Sequence, residues 1–159
     1  MTEEAVQVED KLVKMIVFAV GDQEYCIPIL SVREIRGFEK TTPLPFAPHY
    51  VCGAINLRGV ILTIVNLAVC LNVEPEPNNP RRVVVIVESK NGTVCGLLVD
   101  RVIDMADINT ANIQAVSDEN SCLSGLVLLG QGAESERRMI GVLRLETIVS
   151  QLTGDMAVH

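Results

Sequence analysis

Apolar residues fall into short runs separated by compact polar or proline-rich breaks. Met15-Ile-Val-Phe-Ala-Val20, then Gly21-Asp22, then Tyr25-Cys-Ile-Pro-Ile29 predicts a β-hairpin, with Pro28 favouring an edge position. Leu30, Val32, Glu34 and Ile35 read as a short helix or extended turn ending at Gly37. Three prolines between Thr41 and Pro48 predict a loop. Tyr50 to Gly59 and Val60 to Leu67 form a strand-rich block. Glu74 to Pro80, with three more prolines, predicts a stiff connector. Val83–Val87, Lys90-Asn91-Gly92 and Val94–Val99 predict a second hairpin about a type I′ turn. Further on, Asn109 to Val116 reads as a short helix and Ser124 to Gly132 as a strand ending in a glycine-rich turn. Leu145, Ile148, Val149 and Leu152 stand at i, i+3, i+4 and i+7, predicting an amphipathic helix with Gly154 just past its end.

The two hairpins resemble each other. Tyr25-Cys26 answers Val94-Cys95, and Ser31 to Ile35 loosely answers Asp100 to Asp104, which reads as an internal duplication building two small β-barrels. A chance likeness between valine-rich hairpins is the competing reading. The boundaries that follow are an acidic tail over 1–13, a domain over 14–152 and a tail over 153–159. The barrel halves cover roughly 14–73 and 80–143, either in succession or interleaved, joined by the connector at 74–80.

Composition sharpens this picture. Of 159 residues 48% are hydrophobic, and 23 Val with 13 Ile favour a mainly β protein with a core large enough to fold without staples. The net charge of −7 leaves no basic stripe for phosphates, and five aromatics give no platform for stacking bases, so nucleic acid is an unsuitable partner. No apolar run approaches the roughly 20 residues of a membrane span, and the acidic start lacks the pattern of a secretory signal. A cytoplasmic location is expected. Five cysteines, none in a C-x-x-C pair, read as reduced core thiols.

Candidate chemistry is sparse. The two histidines, His49 and His159, stand apart, and no metal or cofactor set is expected. Gly125-x-x-x-x-Gly130-Gln-Gly132 has Gln131 where a phosphate loop needs Lys. Asp104 with Asp107 reads as a polar face rather than an acid and base pair. An enzyme is disfavoured. A small ligand-binding barrel remains the rival to a protein-binding module, and convergent polar groups around a pocket would favour it.

More specific is Glu34-Ile-Arg-Gly37, the proline-rich loop, and then Gly53-Ala-Ile-Asn-Leu-Arg-Gly59-Val-Ile-Leu-Thr-Ile-Val-Asn-Leu67. Together with Phe18-x-x-Gly21-x-x-x-Tyr25 and Gly96-Leu-Leu-Val-Asp100-x-Val102, it resembles the CheW family of chemotaxis coupling proteins over about residues 14 to 152. The resemblance implies two SH3-like five-stranded β-barrels packed on a shared core, with no catalytic activity. Implied partners are the cytoplasmic tip of methyl-accepting chemoreceptors, the regulatory domain of the histidine kinase CheA, and further copies of the chain in membrane-associated arrays. It places Val32, Glu34, Gly53, Asn56, Arg58, Val84 and Val85 at a receptor groove, where one of the two adjacent valines is expected to point outward. Phe38 and Leu44 are assigned to the kinase contact. Glu34 and Arg58 are expected to form an ion pair. Two features depart from the family pattern: Thr63 and Asn66 replace the usual Pro and Asp, and the segment from Ser117 to Ser124 is short.

Overall fold

The computed structural model describes residues 11–118, 121–130 and 137–156. The glycine-rich turn after Gly130 and most of the N-terminal tail therefore lie outside the described residues. The chain forms β1 (Leu12–Val20), β2 (Gln23–Pro28), β3 (Val32–Gly37), β4 (Val51–Leu57), β5 (Val60–Asn66) and α1 (Leu67–Leu71). After the connector come β6 (Val83–Glu88), β7 (Val94–Val99), β8 (Arg101–Asn109), β9 (Gln114–Ala115), β10 (Leu123–Leu129), β11 (Arg138–Leu143) and α2 (Leu145–Met156). A six-stranded sheet has the order β8-β1-β2-β11-β10-β9, and a five-stranded sheet has the order β3-β6-β7-β5-β4.

The duplication is written into this topology. In each sheet one hairpin, β1–β2 or β6–β7, sits beside an antiparallel strand, β8 or β3. Its other strand pairs in parallel with the last strand of a second hairpin, β11 of β10–β11 or β5 of β4–β5. The halves exchange their first hairpins: β1–β2 joins strands from after the connector, and β6–β7 joins strands from before it. Register agrees as well. Val17 opposes Asp104 and Ile86 opposes Glu34, each beside a one-residue bulge. Of the two arrangements left open, succession and interleaving, the strand pairing has the interleaved one. The connector joins α1 to β6 within one sheet, and the barrels are interleaved along the chain.

Both faces of the central strands are covered, which is why they read as unbroken apolar runs. Ile16, Phe18 and Val20 of β1 join Val85 and Val87 of β6, with Ile148 and Val149 of α2, in the core shared by the sheets. Met15 and Val17 face a second cluster with Cys26, Ile108, Ile140 and Val142. Val84 and Ile86 face a third with Leu62, Ile64 and Leu98. Side chains thus fill both barrel interiors. Each such buried Val, Leu or Ile contributes about 1.5–3 kcal/mol against exposure.

Several local expectations change. Residues 32–37 form a strand after a 3-10 turn at Ile29–Ser31, because β6 supplies a pairing edge that sequence alone does not display. Pro28 ends an internal strand, beyond the stretch of β2 paired with β11, so its missing N–H costs nothing there. In the second hairpin only Gly92 takes a positive φ, 90°, so the turn is not type I′. Residues 110–112 form a 3-10 turn and 114–115 a strand instead of one helix. β1 begins at Leu12, inside the expected tail, and α2 runs through Gly154 to Met156.

The proline-rich connector is tied down by Asp100, only 2% exposed. Its Oδ2 accepts the N–H of Gly21 at 2.6 Å and that of Glu76 at 2.9 Å, and Asn79 Nδ2 donates to its carbonyl at 2.9 Å. One carboxylate thereby joins the first hairpin turn, the connector and the crossover from β7 to β8. Gly21 is required here: its φ is +63°, and a Cβ would stand 2.1 Å from the Glu74 carbonyl oxygen.

Candidate functional site

β3 and β4 are the two edges of the five-stranded sheet, and they meet where the β4–β5 turn swings over β3. Leu57 opposes Val60, leaving Arg58 and Gly59 as a two-residue turn with φ of 50° and 86°. Positive φ at both positions is the type I′ pattern that suits a twisted hairpin. Arg58 holds this conformation because Asn56 Oδ1 accepts the Gly59 N–H at 2.9 Å. The turn aims the Arg58 guanidinium at Glu34, Nη2 to Oε1 2.5 Å, while Arg36 Nη1 donates to the other carboxylate oxygen at 3.2 Å. The expected ion pair is present, with Arg36 as a second arm that sequence reading did not include.

Around this clamp lies a cleft of about 350 Å³ lined by Arg33, Glu34, Leu57, Arg58, Val60, Leu62, Ile86 and Val94. Its floor is aliphatic and its rim cationic, apart from Glu34. Hydrogen bonds from Arg58, then Arg36, hold the Glu34 carboxyl below its ordinary value of 4.5, so the clamp stays charged at any physiological pH. A carboxyl lowered in this way contributes its stabilisation above the ordinary value and loses it only as pH falls through the lowered one. Beside the cleft, Val60 and Ile61 are 59% and 76% exposed, overhanging the end of the barrel. They were missed because Val60 to Leu67 reads only as a strand-rich block; the position of the turn shows that its start projects.

Of the residues assigned to the groove, Glu34, Asn56 and Arg58 come together here. Val32 is half-buried and packs against the shared core. Gly53 is buried at a bulge in β4, where a Cβ would lie 2.5 Å from the Thr42 carbonyl oxygen; its role in the fold is to let the Thr41-Thr42 segment cross. Val84 and Val85 are 2% and 0% exposed, so the expectation of an outward valine is corrected. β6 lies between β3 and β7, with the shared core on one face and the barrel interior on the other. Phe38 packs on the interior cluster under Arg82, whose guanidinium lies 5.5 Å from its ring centre, and Leu44 is half-buried in a turn.

At the equivalent mouth of the other barrel, Arg138 donates to Glu24 Oε1 at 2.7 Å and reaches Asp104 at 3.4 Å. Asp104 stands at the bulge position matching Glu34, so an arginine clamp closes both barrels. The thiols do not add reactive chemistry. Burial raises Cys26 and Cys70 to about 12 and Cys95 to about 11, and raises Cys52 and Cys122 as well. Cys26 and Cys95, both 0% exposed, are expected to react with an aromatic disulfide reagent at pH 8 only after denaturant is added. Rapid labelling of all five in the folded protein would contradict this.

Comparison with known proteins agrees with the fold. The CheW-like domain model matches residues 14–153. The probable chemotaxis protein CheW of Rhizobium etli is 38% identical over 144 residues, covering 91% of this chain and 92% of that protein. Chemotaxis protein CheW of Rhizobium meliloti is 39% identical over 140 residues, covering 85% and 86%. In fold, the crystal structure of scaffolding protein TtCheW from Thermoanaerobacter tengcongensis superposes with a TM-score of 0.71 at 23% identity, over 84% of this chain and 90% of that one. With interleaved barrels, a matching domain model over nearly its whole length and these relatives, the chain belongs to the CheW-like family.

Proposed function

We propose that this chain is a non-catalytic adaptor of chemotaxis signalling, coupling the cytoplasmic tip of methyl-accepting chemoreceptors to the regulatory domain of the histidine kinase CheA. The observation that carries the reading is the cleft at Glu34, Arg36 and Arg58: an aliphatic floor, a charged clamp of fixed geometry and overhanging Val60 and Ile61, suited to an amphipathic helix. Its mechanism is proximity. Holding receptor and kinase on one scaffold raises their effective concentration, and any difference in affinity for two receptor states is passed to the kinase as a coupling free energy. Among the described residues no helix is long and apolar enough to cross a membrane.

The test is a titration of the chain with a receptor cytoplasmic fragment and, separately, with the kinase regulatory domain, followed by a three-component mixture. Both binary complexes and a ternary one are expected; failure to bind either partner sinks the adaptor. The clamp is tested by a double-mutant cycle. Glu34→Ala and Arg58→Ala are each expected to weaken receptor binding about tenfold, with the double variant little worse than either single. Because the pair is exposed, thermal stability should move little. Additive losses would show the two side chains acting independently.

A further inference from the structure

The duplicated topology lets the two barrel mouths be compared position by position. Glu34 opposes Ile86 in one sheet and Asp104 opposes Val17 in the other, each beside its bulge. From those anchors the hairpin register matches Gly96 to Cys26 and Val94 to Glu24, one residue on from the sequence likeness of Tyr25-Cys26 to Val94-Cys95. The parallel pairs then match Ile64 to Val142, and hence Val60 to Arg138 and Ile61 to Met139. Burial follows the same correspondence: Leu62 and Ile140 are buried, while Ile61 and Met139 are exposed. The cleft of the first barrel has Glu34, Val60 and Val94 in its lining. At those three positions the second barrel has Asp104, Arg138 and Glu24, which bond to one another. Arg138 Nε and Nη2 both donate to Glu24 Oε1, at 3.0 and 2.7 Å, and Nη1 reaches Asp104 Oδ2 at 3.4 Å.

We infer that this ion pair is a plug: Arg138, Glu24 and Asp104 close the second barrel to the amphipathic helix that the first accepts, so the chain takes one such helix and takes it at the Glu34–Arg58 cleft. The inference rests on the adaptor reading above. An aliphatic floor gains by losing water beneath a helix, because apolar area removed from water is favourable in proportion to its extent. An ion pair on the floor reverses that sign. The side chains of Glu24, Arg138 and Asp104 are 28%, 37% and 45% exposed, so their charged atoms keep water. An apolar helix face laid over them would strip that water, while their mutual bonds already exist without the helix. Shape acts in the same direction. Arg138 reaches from β11 to Glu24 on β2 and to Asp104 on β8, across the mouth that the short Val60 leaves open in the first barrel. Two mouths built on one backbone plan would otherwise compete for the same helix, and the charges at these positions decide between them.

Two exchanges test the plug by calorimetric titration with a receptor cytoplasmic fragment. Val60→Arg with Val94→Glu sets the same ion pair beside Glu34 in the first barrel. Receptor affinity is expected to fall about tenfold or more, with the melting temperature and the affinity for the kinase regulatory domain unchanged. Full receptor binding by this variant overturns the inference, since either such a pair does not block a helix or the second barrel takes one. Glu24→Val with Arg138→Val gives the second barrel the floor of the first, and the expected stoichiometry rises from one binding site per chain to two. A folded variant that stays at one site overturns the plug and leaves the ion pair a purely structural contact. Should the valine variant not fold, Glu24→Gln with Arg138→Met removes the charges at nearly constant size and is read in the same way. Two sites on the unmodified chain overturn this inference alone, whereas an unmodified chain that binds no receptor fragment overturns the adaptor reading with it.

Discussion

Asp100→Ala is expected to destabilise the protein by roughly 3–5 kcal/mol, since hydrogen bonds to a charged group contribute about 1.5–3 kcal/mol each and their buried donors would be left unpaired. The Gly21 and Glu76 N–H groups both depend on Asp100 Oδ2, and Asp100 is 2% exposed, so water cannot readily substitute. Asp100→Asn keeps one carbonyl oxygen as acceptor and should cost less. The measurement is urea unfolding, read as a shift of the midpoint at constant slope. Because Asp100 ties the first hairpin turn to the connector between the two exchanged halves, the variant should also open the connector to protease before the sheets unfold. A loss under about 1 kcal/mol for the Ala variant, the worth of an ordinary neutral hydrogen bond, would remove Asp100 from this role.

Val84→Glu is expected to cost more than about 4 kcal/mol, because a charge introduced into an apolar interior has no partner to compensate its desolvation. Val84 is 2% exposed among Leu62, Ile64, Ile86 and Leu98, and Gly96 lacks a side chain where its Cβ would meet Val84 Cγ1 at 2.6 Å. Val85→Glu should be equally damaging, since Val85 is 0% exposed and faces the shared core. For both, circular dichroism melting and receptor binding should fail together. Either variant retaining its melting temperature while losing the receptor would restore that valine as a groove contact.

These two cases mark where sequence and tertiary structure divide the information. The hairpins about Gly21-Asp22 and Asn91-Gly92, the proline-rich loop and the C-terminal helix were legible because each depends on residues within one turn of chain, where glycine, proline and apolar period act directly. The Glu34–Arg58 pair was legible through resemblance, and its geometry follows from a turn whose Asn-Leu-Arg-Gly residues supply their own hydrogen bond. Other features had no local signature. β11 from Arg138 to Leu143 and the length of β8 were not read, because a strand's existence depends on the edge that receives it, here β2 and β1 from more than 80 residues away. The exchange of hairpins between barrels is likewise a choice of non-local partners. Alternation fixes which side chains share a face, yet only the packing of both sheets determines that each face of β6 meets a core, burying Val84 and Val85 alike. The exposure of Ile61 is decided the same way, since a side chain is exposed only by where the rest of the chain is not.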